Sequence, residues 1–251
     1  MTQAEILHWI ETVLEPWRFE DYCPNNMEVE GDGRKVHSIA LAVSLTLEVI
    51  EQAVKRGADL ILTHHGIFWQ GQPFVVTGAN RKKLHLLLHS GVATASYHLP
   101  LDYHPRLGNN VQLAQKLGLS DIRGAGFQKD YPTLVLGSPA EKDLGSLLQR
   151  METLLGLPPR YANFGKTEIQ TLAIATGGAQ KSFRQAIANG ADGFITGEGS
   201  EQNYTEAQEF ERHFIAAGHS RSEQFGIQAL GQELTQQFGL ECFFVETENP
   251  F

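Results

Sequence analysis

The chain has 251 residues, 41% hydrophobic and 20% charged, with a formal charge of −9 and a pI near 5.6. That suits one large globular domain or two modest ones. The acidic balance argues against a nucleic-acid binder, which presents a basic face, but a bound metal ion can still bring a phosphorylated small molecule to an acidic protein.

The first segment, MTQAEILHWIETVLEPW, lacks the basic start of a signal peptide, and Glu5 and Glu11 break into its apolar positions. Ile6, Trp9, Ile10 and Val13 fall at helical spacing, so an amphipathic helix is expected. Val36–Val43 reads as a strand and Thr46–Arg56 as a helix with Leu47, Ile50 and Val54 on one face. Asp59–Thr63 has the continuous apolar character of a strand buried on both faces. Gly71, Pro73 and Gly78 give Phe68–Lys83 the character of a loop. A short helix over Lys82–His89, a strand over Val92–Tyr97 and a helix over Asn109–Leu117, ended by Gly118, follow. Residues 123–168 align with nothing else and read as an insertion with its own small sheet and a helix over Leu144–Leu155. Beyond it come strand Thr171–Ala175, helix Gln180–Asn189, strand Gly193–Thr196, helix Thr205–Arg212, strand Phe214–Ala217, helix Glu223–Phe238 and a last strand, Cys242–Glu246. No apolar run approaches the ~20 residues that cross a bilayer. Cys23 and Cys242 lie far apart without metal-ligand spacing, so a reduced, cytoplasmic chain is expected.

The chain is written twice. Ala53, Gly57, Ala58, Asp59, Thr63 and Gly66 recur 133 residues on as Ala186, Gly190, Ala191, Asp192, Thr196 and Gly199. At an offset of 121, His98, Asp102, Leu113, Gln115, Gly118 and Leu119 meet His219, Glu223, Leu234, Gln236, Gly239 and Leu240. The period is too long for a solenoid. The expected fold is α/β with mixed sheets: two similar halves, 1–122 and 169–251, face each other, with 123–168 inserted between them.

The repeated pairs carry the chemistry. His98-Leu-Pro-Leu-Asp102 and His219-Ser-Arg-Ser-Glu223 each set an imidazole four residues before a carboxylate, just past an apolar run. His64-His65 ends another such run. Strand ends are where α/β proteins build sites. Adjacent histidines alone are better read as polar strand caps, and Glu223 equally suits the first turn of a helix; the carboxylate pairs, and the recurrence of His in both halves, are what neither alternative explains. Pro100 keeps His98–Asp102 out of a regular helix interior, leaving His98 as ligand, ligand support or proton shuttle. Glu198, at the position of His65 in the first half, lines the same cavity or is an exposed turn acid. Tyr97, Arg106 and Arg221 are candidates to orient a substrate, with a solvent-facing role the simpler one for Arg106. Mixed imidazole and carboxylate donors suit two divalent ions of the Zn, Mn, Fe or Ni kind. In that arrangement Glu223 bridges, with His64 and Asp102 on one ion and His65 and His219 on the other, an assignment the residues leave open. Such a pair supports metal-assisted hydrolysis.

The segments Gly57–Trp69, Tyr97–Asn110, Thr176-Gly-Gly178, Phe194–Glu198 and Ala216–His219 with Glu223 resemble the YbgI or Nif-three-like family, whose members are often labelled GTP cyclohydrolase 1 type 2 homologues. Asn25–Gly31 resembles the family's early Asn-Gly-Leu-Gln-Val-Glu-Gly segment, with Asn26 replacing the usual Gly. The resemblance implies a dinuclear metal centre held by His64, His65, Asp102, His219 and Glu223, and a ring-shaped homohexamer, a trimer of dimers. Two functions compete. One is a metal-dependent hydrolase, of cyclohydrolase or phosphoesterase type, acting on a nucleotide-like or phosphorylated small molecule with His98 as proton relay. The other is a non-enzymatic metal-binding hexamer that serves interaction or regulation.

Overall fold

The two Gly-Ala-Asp turns build the same corner twice. The Asp59 carboxylate accepts the backbone N–H groups of His37 and Ser38 at 2.8 and 3.1 Å. Asp192 accepts those of Gln170 and Thr171 at 3.0 and 3.1 Å. Each aspartate thereby ties the start of one strand to the start of the next and satisfies donors no strand partner reaches. The computed structural model, which describes residues 1–73, 75–128 and 130–250, divides into two compact units.

The first unit holds Met1–Leu101 and Ile227–Glu248. Its elements are α1 (Gln3–Leu14), β1 (Met27–Val29), β2 (Ser38–Ser44), α2 (Leu47–Lys55), β3 (Leu60–His65), α3 (Gly78–Ser90) and β4 (Ala93–Ser96). The chain leaves this unit inside α4 (Leu99–Tyr103). Thr2 and Glu5 close a capping box at the start of α1, and its buried face is Ile6, Leu7, Ile10 and Leu14. In β3, Leu60, Ile61 and Leu62 are fully buried, worth roughly 1.5–3 kcal/mol each.

The second unit holds Asp102–Gly226 and, of the described residues, also 249–250. It contains α5 (Asn109–Lys116), β5 (Ser120–Gln128), β6 (Tyr131–Ser138), α6 (Leu144–Leu155), β7 (Arg160–Asn163), β8 (Leu172–Ile174), α7 (Phe183–Ala188), β9 (Gly193–Thr196), α8 (Glu201–Glu209), β10 (His213–Ala216) and α9 (His219–Ser222). The chain returns to the first unit inside α10 (Gln224–Phe238) and ends in β11 (Glu241–Phe244).

The fold is mixed α/β with two mixed sheets, as expected. The first sheet runs β1-β4-β3-β2-β11 and the second β5-β6-β8-β9-β10-β7. In each, three consecutive strands are parallel, β2-β3-β4 and β8-β9-β10, and an antiparallel strand flanks the last, β1 on β4 and β7 on β10. The repeat is thus one of strand order as well as sequence.

Two expectations change in detail. Strands β5, β6 and β7 form no sheet of their own: β6 pairs with β8 and β7 with β10. The reason is burial: Leu134, Val135 and Leu136 of β6, with Leu147, Met151 and Leu155 of α6, belong to the unit's core. Within the expected Phe68–Lys83 loop, helix starts at Gly78, and Phe74 lies outside the described residues. The helix expected over Glu223–Phe238 is present as α10, and a separate short helix, α9, precedes Glu223. No helix among the described residues is long and apolar enough to cross a membrane.

Candidate metal centre

In the first unit, β3 delivers His64 and His65 at its end. Side chains adjacent in a strand normally diverge. Here the two ring centroids are 4.6 Å apart, and His98 lies 5.1 Å from one and 5.5 Å from the other. One ring nitrogen from each of the three falls within 4.8 Å of the others, the spacing of a metal donor set.

Each of these imidazoles is oriented through Nδ1. His64, fully buried, places Nδ1 3.0 Å from the Tyr97 carbonyl. A carbonyl only accepts, so Nδ1 carries a proton, and in the neutral ring the lone pair then falls on Nε2. His65 Nδ1 is 3.0 Å from the Ser44 hydroxyl. His98 Nδ1 donates to Asp21 at 2.8 Å. Asp21 in turn accepts the Asn25 amide at 2.8 Å and the Leu99 N–H at 2.9 Å, and Asn25 Oδ1 accepts the His98 N–H at 2.7 Å. Burial works to raise the Asp21 pKa, but the His98 hydrogen bond and charge outweigh it and hold the carboxyl below its ordinary value. A metal-binding histidine characteristically has its second nitrogen engaged in this way.

In the second unit the donors are mainly carboxylates. Asp102 and Glu223 are both buried, with carboxylate oxygens within 4.8 Å of one another. Asn109 Nδ2 donates to Asp102 Oδ1 at 2.9 Å while its own Oδ1 accepts the Gly226 N–H at 2.7 Å. His219 Nε2 lies 3.1 Å from Glu223 Oε2, and its Nδ1 donates to Glu198 at 2.6 Å. Burial disfavours the His219 imidazolium, yet Glu223 and then Glu198 outweigh it and push the pKa up to about 9. Two buried carboxylates this close repel unless a cation sits with them, so the donor set fits a divalent ion.

Two glycines shape this region. Gly177, at φ 65°, passes so near Glu223 that an added Cβ would fall 1.8 Å from its Oε1. The Thr176-Gly-Gly178 turn is held there by Asn110, whose Oδ1 accepts the N–H and hydroxyl of Thr176 at 2.8 and 3.0 Å, and by Ser222, which accepts the Gly177 N–H at 3.1 Å. The second is Gly218. Ala93 and Ser96 pair with Leu60 and Thr63, and His213 and Ala216 with Gly193 and Thr196, so these strands of the two copies align at an offset of 120, whereas His98 and His219 differ by 121. Gly218, at φ 89°, is the extra residue, in a conformation that suits glycine.

The structure thus brings His64, His65 and His98 together in one unit, and Asp102, Glu223 and His219 in the other. Glu198 supports His219. The Tyr97 phenol is fully buried, which removes it from substrate contact; its carbonyl is the functional atom. Arg106 is exposed. His213 lies apart from these donors and bonds the Lys166 carbonyl through Nε2 at 2.9 Å. Asp21, Asn25, Ser44 and Asn109 escape sequence reading. Only Asn109-Asn110, two amides side by side at a helix start, left a local signal.

The chain matches the Duf34/NIF3 (NGG1p interacting factor 3) family over residues 1–250. A Pseudomonas aeruginosa protein described as a GTP cyclohydrolase 1 type 2 homolog is 40% identical over 240 residues, covering 94% of each chain. A Yersinia pestis protein of the same description is 37% identical over 251 residues, covering 100% of both. A solved structure described as protein ybgI, of unknown function, superposes with a TM-score of 0.95 at 36% identity, and TTHA1606 from Thermus thermophilus with 0.89 at 29%, each covering 100% of both chains.

Proposed function

This chain belongs to the Duf34/NIF3 family, and on that footing we propose that it is a dinuclear, divalent-metal-dependent hydrolase acting on a nucleotide-like or phosphorylated small molecule. His64, His65, Asp102, His219 and Glu223 serve as its ligands, for two ions of the Zn, Mn, Fe or Ni kind. When bound, such ions polarise the scissile group and bring the pKa of water near neutrality. His98, backed by Asp21 at 2.8 Å, holds and passes a proton at Nε2. Asn109 and Glu198 keep Asp102 and His219 aimed. The relatives' description as GTP cyclohydrolase 1 type 2 homologs supports hydrolysis of a nucleotide. A cytoplasmic homohexameric ring completes the reading, and its mass in solution tests that part.

The observation that carries this reading is the shared orientation of His64, His65, His98 and His219: every Nδ1 is engaged by a protein oxygen, an arrangement that favours Nε2 as the ligating or proton-carrying atom. The deciding experiment measures metal content and turnover on nucleotides and phosphoesters side by side. Two ions per chain with metal-dependent turnover are expected; turnover persisting after complete chelation would refute the proposal. A second reading, a metal-stabilised interaction protein, draws on the family's own description as an interacting factor. It predicts two ions, no turnover on any probe, and loss of assembly when ligands are mutated.

A further inference from the structure

A cavity in the second unit has one of the proposed ligands, His219, in its wall. It encloses about 540 Å³, and its walls include Arg160, Tyr161, Glu198, Tyr204, Phe214 and His219. That volume lies in the range of small-molecule sites.

Strand register orders its walls. In the antiparallel pair of β7 and β10, Ala162 opposes Phe214 and Arg160 opposes Ala216. Directly opposed residues share a face of the sheet, and residues two apart on a strand share it too. Arg160, Ala162, Phe214 and Ala216 therefore stand on one face. Ala216 ends β10, and Ala217-Gly218 lead straight to His219. Arg160 thus sits at the His219 end, while Phe214 stands two residues back, about 7 Å away. Helix α8 packs on β7 and β10. Its Tyr204 is 57% exposed, and Phe164 holds the ring edge-on at 5.2 Å and 81°. A large aromatic this open, with an edge contact behind it, offers a stacking platform.

The cavity therefore has two unlike ends. Tyr204 and Phe214 make one aromatic. Arg160, His219 and Glu198 make the other ionic, with the Glu198 carboxylate already engaged by His219 at 2.6 Å.

We propose that this cavity binds a phosphate monoester whose alcohol part carries an aromatic ring, a nucleoside monophosphate being the simplest case, with its ring on Tyr204 and its phosphate beside Arg160 and His219. The inference rests on the hydrolase reading and deepens it. Ring opening would require the heterocycle at the donor end; ester hydrolysis requires the phosphate there, and the layout selects ester hydrolysis. A water oxygen forms the new P–O bond as the ester P–O bond breaks. The nucleoside oxygen leaves with one of the water protons, and inorganic phosphate keeps the other.

The test follows phosphate release from AMP and GMP by the metal-loaded protein, with purine absorbance reporting ring integrity. Phosphate release with an intact purine is expected. Tyr204→Ala should raise KM about tenfold, the scale of one lost base stack, whereas Tyr204→Phe stays within about twofold. Arg160→Ala should lower kcat/KM about tenfold, and metal content should match wild type in all three variants. Unchanged kinetics in both alanine variants, or ring opening with phosphate retained, would overturn the proposal. If nothing is turned over, the hydrolase reading falls and calorimetric titration of AMP decides the cavity separately. Binding weakened by Tyr204→Ala upholds it, and absence of AMP binding overturns it.

Discussion

His64 and His65 stand at the end of β3; at the matching end of β9, 133 residues on, stand Gly197 and Glu198. Ser44 and Gly177 are related by the same offset. In the first unit the Ser44 hydroxyl holds His65, 3.0 Å from its Nδ1. In the second, a side chain at 177 would strike Glu223, and the strand-end carboxylate Glu198 holds an imidazole instead of acting as one. The aspartates that tie strand starts together, Asp59 and Asp192, do the same work in both. A duplicated frame has thus been kept while its donor-bearing positions moved, from a strand end in one copy to the turn after the next strand in the other. Strand-end loops can be rewritten without touching the sheet beneath.

The harshest way to break this contrast is to remove the carboxylate that the second unit alone supplies. Glu223→Gln keeps size and drops charge; metal content should fall below two ions per chain and turnover by about a thousandfold, the loss that follows when several kcal/mol of Lewis-acid stabilisation go. Next come the acids behind the imidazoles. Glu198→Gln should weaken metal affinity about 10–100-fold, measured by competition with a chromogenic chelator. Asp21→Asn should lower kcat by a similar factor, about 10–100-fold, with metal content unchanged, because Asp21 serves a proton carrier. If both variants shed metal equally, His98 acts as a ligand and the contrast between the two acids disappears.

Exchanging the 44/177 pair sharpens the comparison at lower cost. Gly177→Ser introduces a side chain against Glu223 at a left-handed φ and should cost about 2 kcal/mol in a denaturant titration; Ser44→Ala should cost about 1 kcal/mol or less. The smallest effect is on pH dependence in chelator-treated protein. His219 is raised from 6.5 to about 9, so the stability it contributes is full below 6.5 and is lost as pH climbs through 9. Asp21 is lowered from 3.8, so its contribution is present above 3.8 and is lost as pH falls through its depressed value. Denaturation midpoints should therefore decline at both ends, with Glu198→Gln flattening the alkaline limb alone and Asp21→Asn the acid limb alone.

Much of the frame could be read from the chain because its signals are local. The Gly-Ala-Asp turns, the continuous apolar run of β3 and the His-x-x-x-acid pairs each lie within a few residues, and the resemblance they carried is the family the chain matches. What escaped is non-local. β7 pairs with β10 across some fifty residues, and nothing in Arg160–Asn163 names that partner, since strand pairing depends on tertiary surroundings more than on composition. Asp21 reaches His98 from 77 residues away. Ser44 lies just past the expected Val36–Val43 strand, with nothing local to mark its role. Gly218 became visible as an added residue only once strand register fixed the alignment on its two sides.

The outermost strand of the first sheet sets a schedule for the growing polypeptide. β2 is finished at Ser44, but β11, the neighbour that covers its flank, is finished only at Phe244, 200 residues later (244 − 44). At about 5–20 residues per second the ribosome takes roughly 10–40 s to supply it. Throughout that interval the β2 flank presents open main-chain groups, the kind of template on which nascent chains stick together. The entire second sheet emerges in the meantime, so the half made first is the half sealed last.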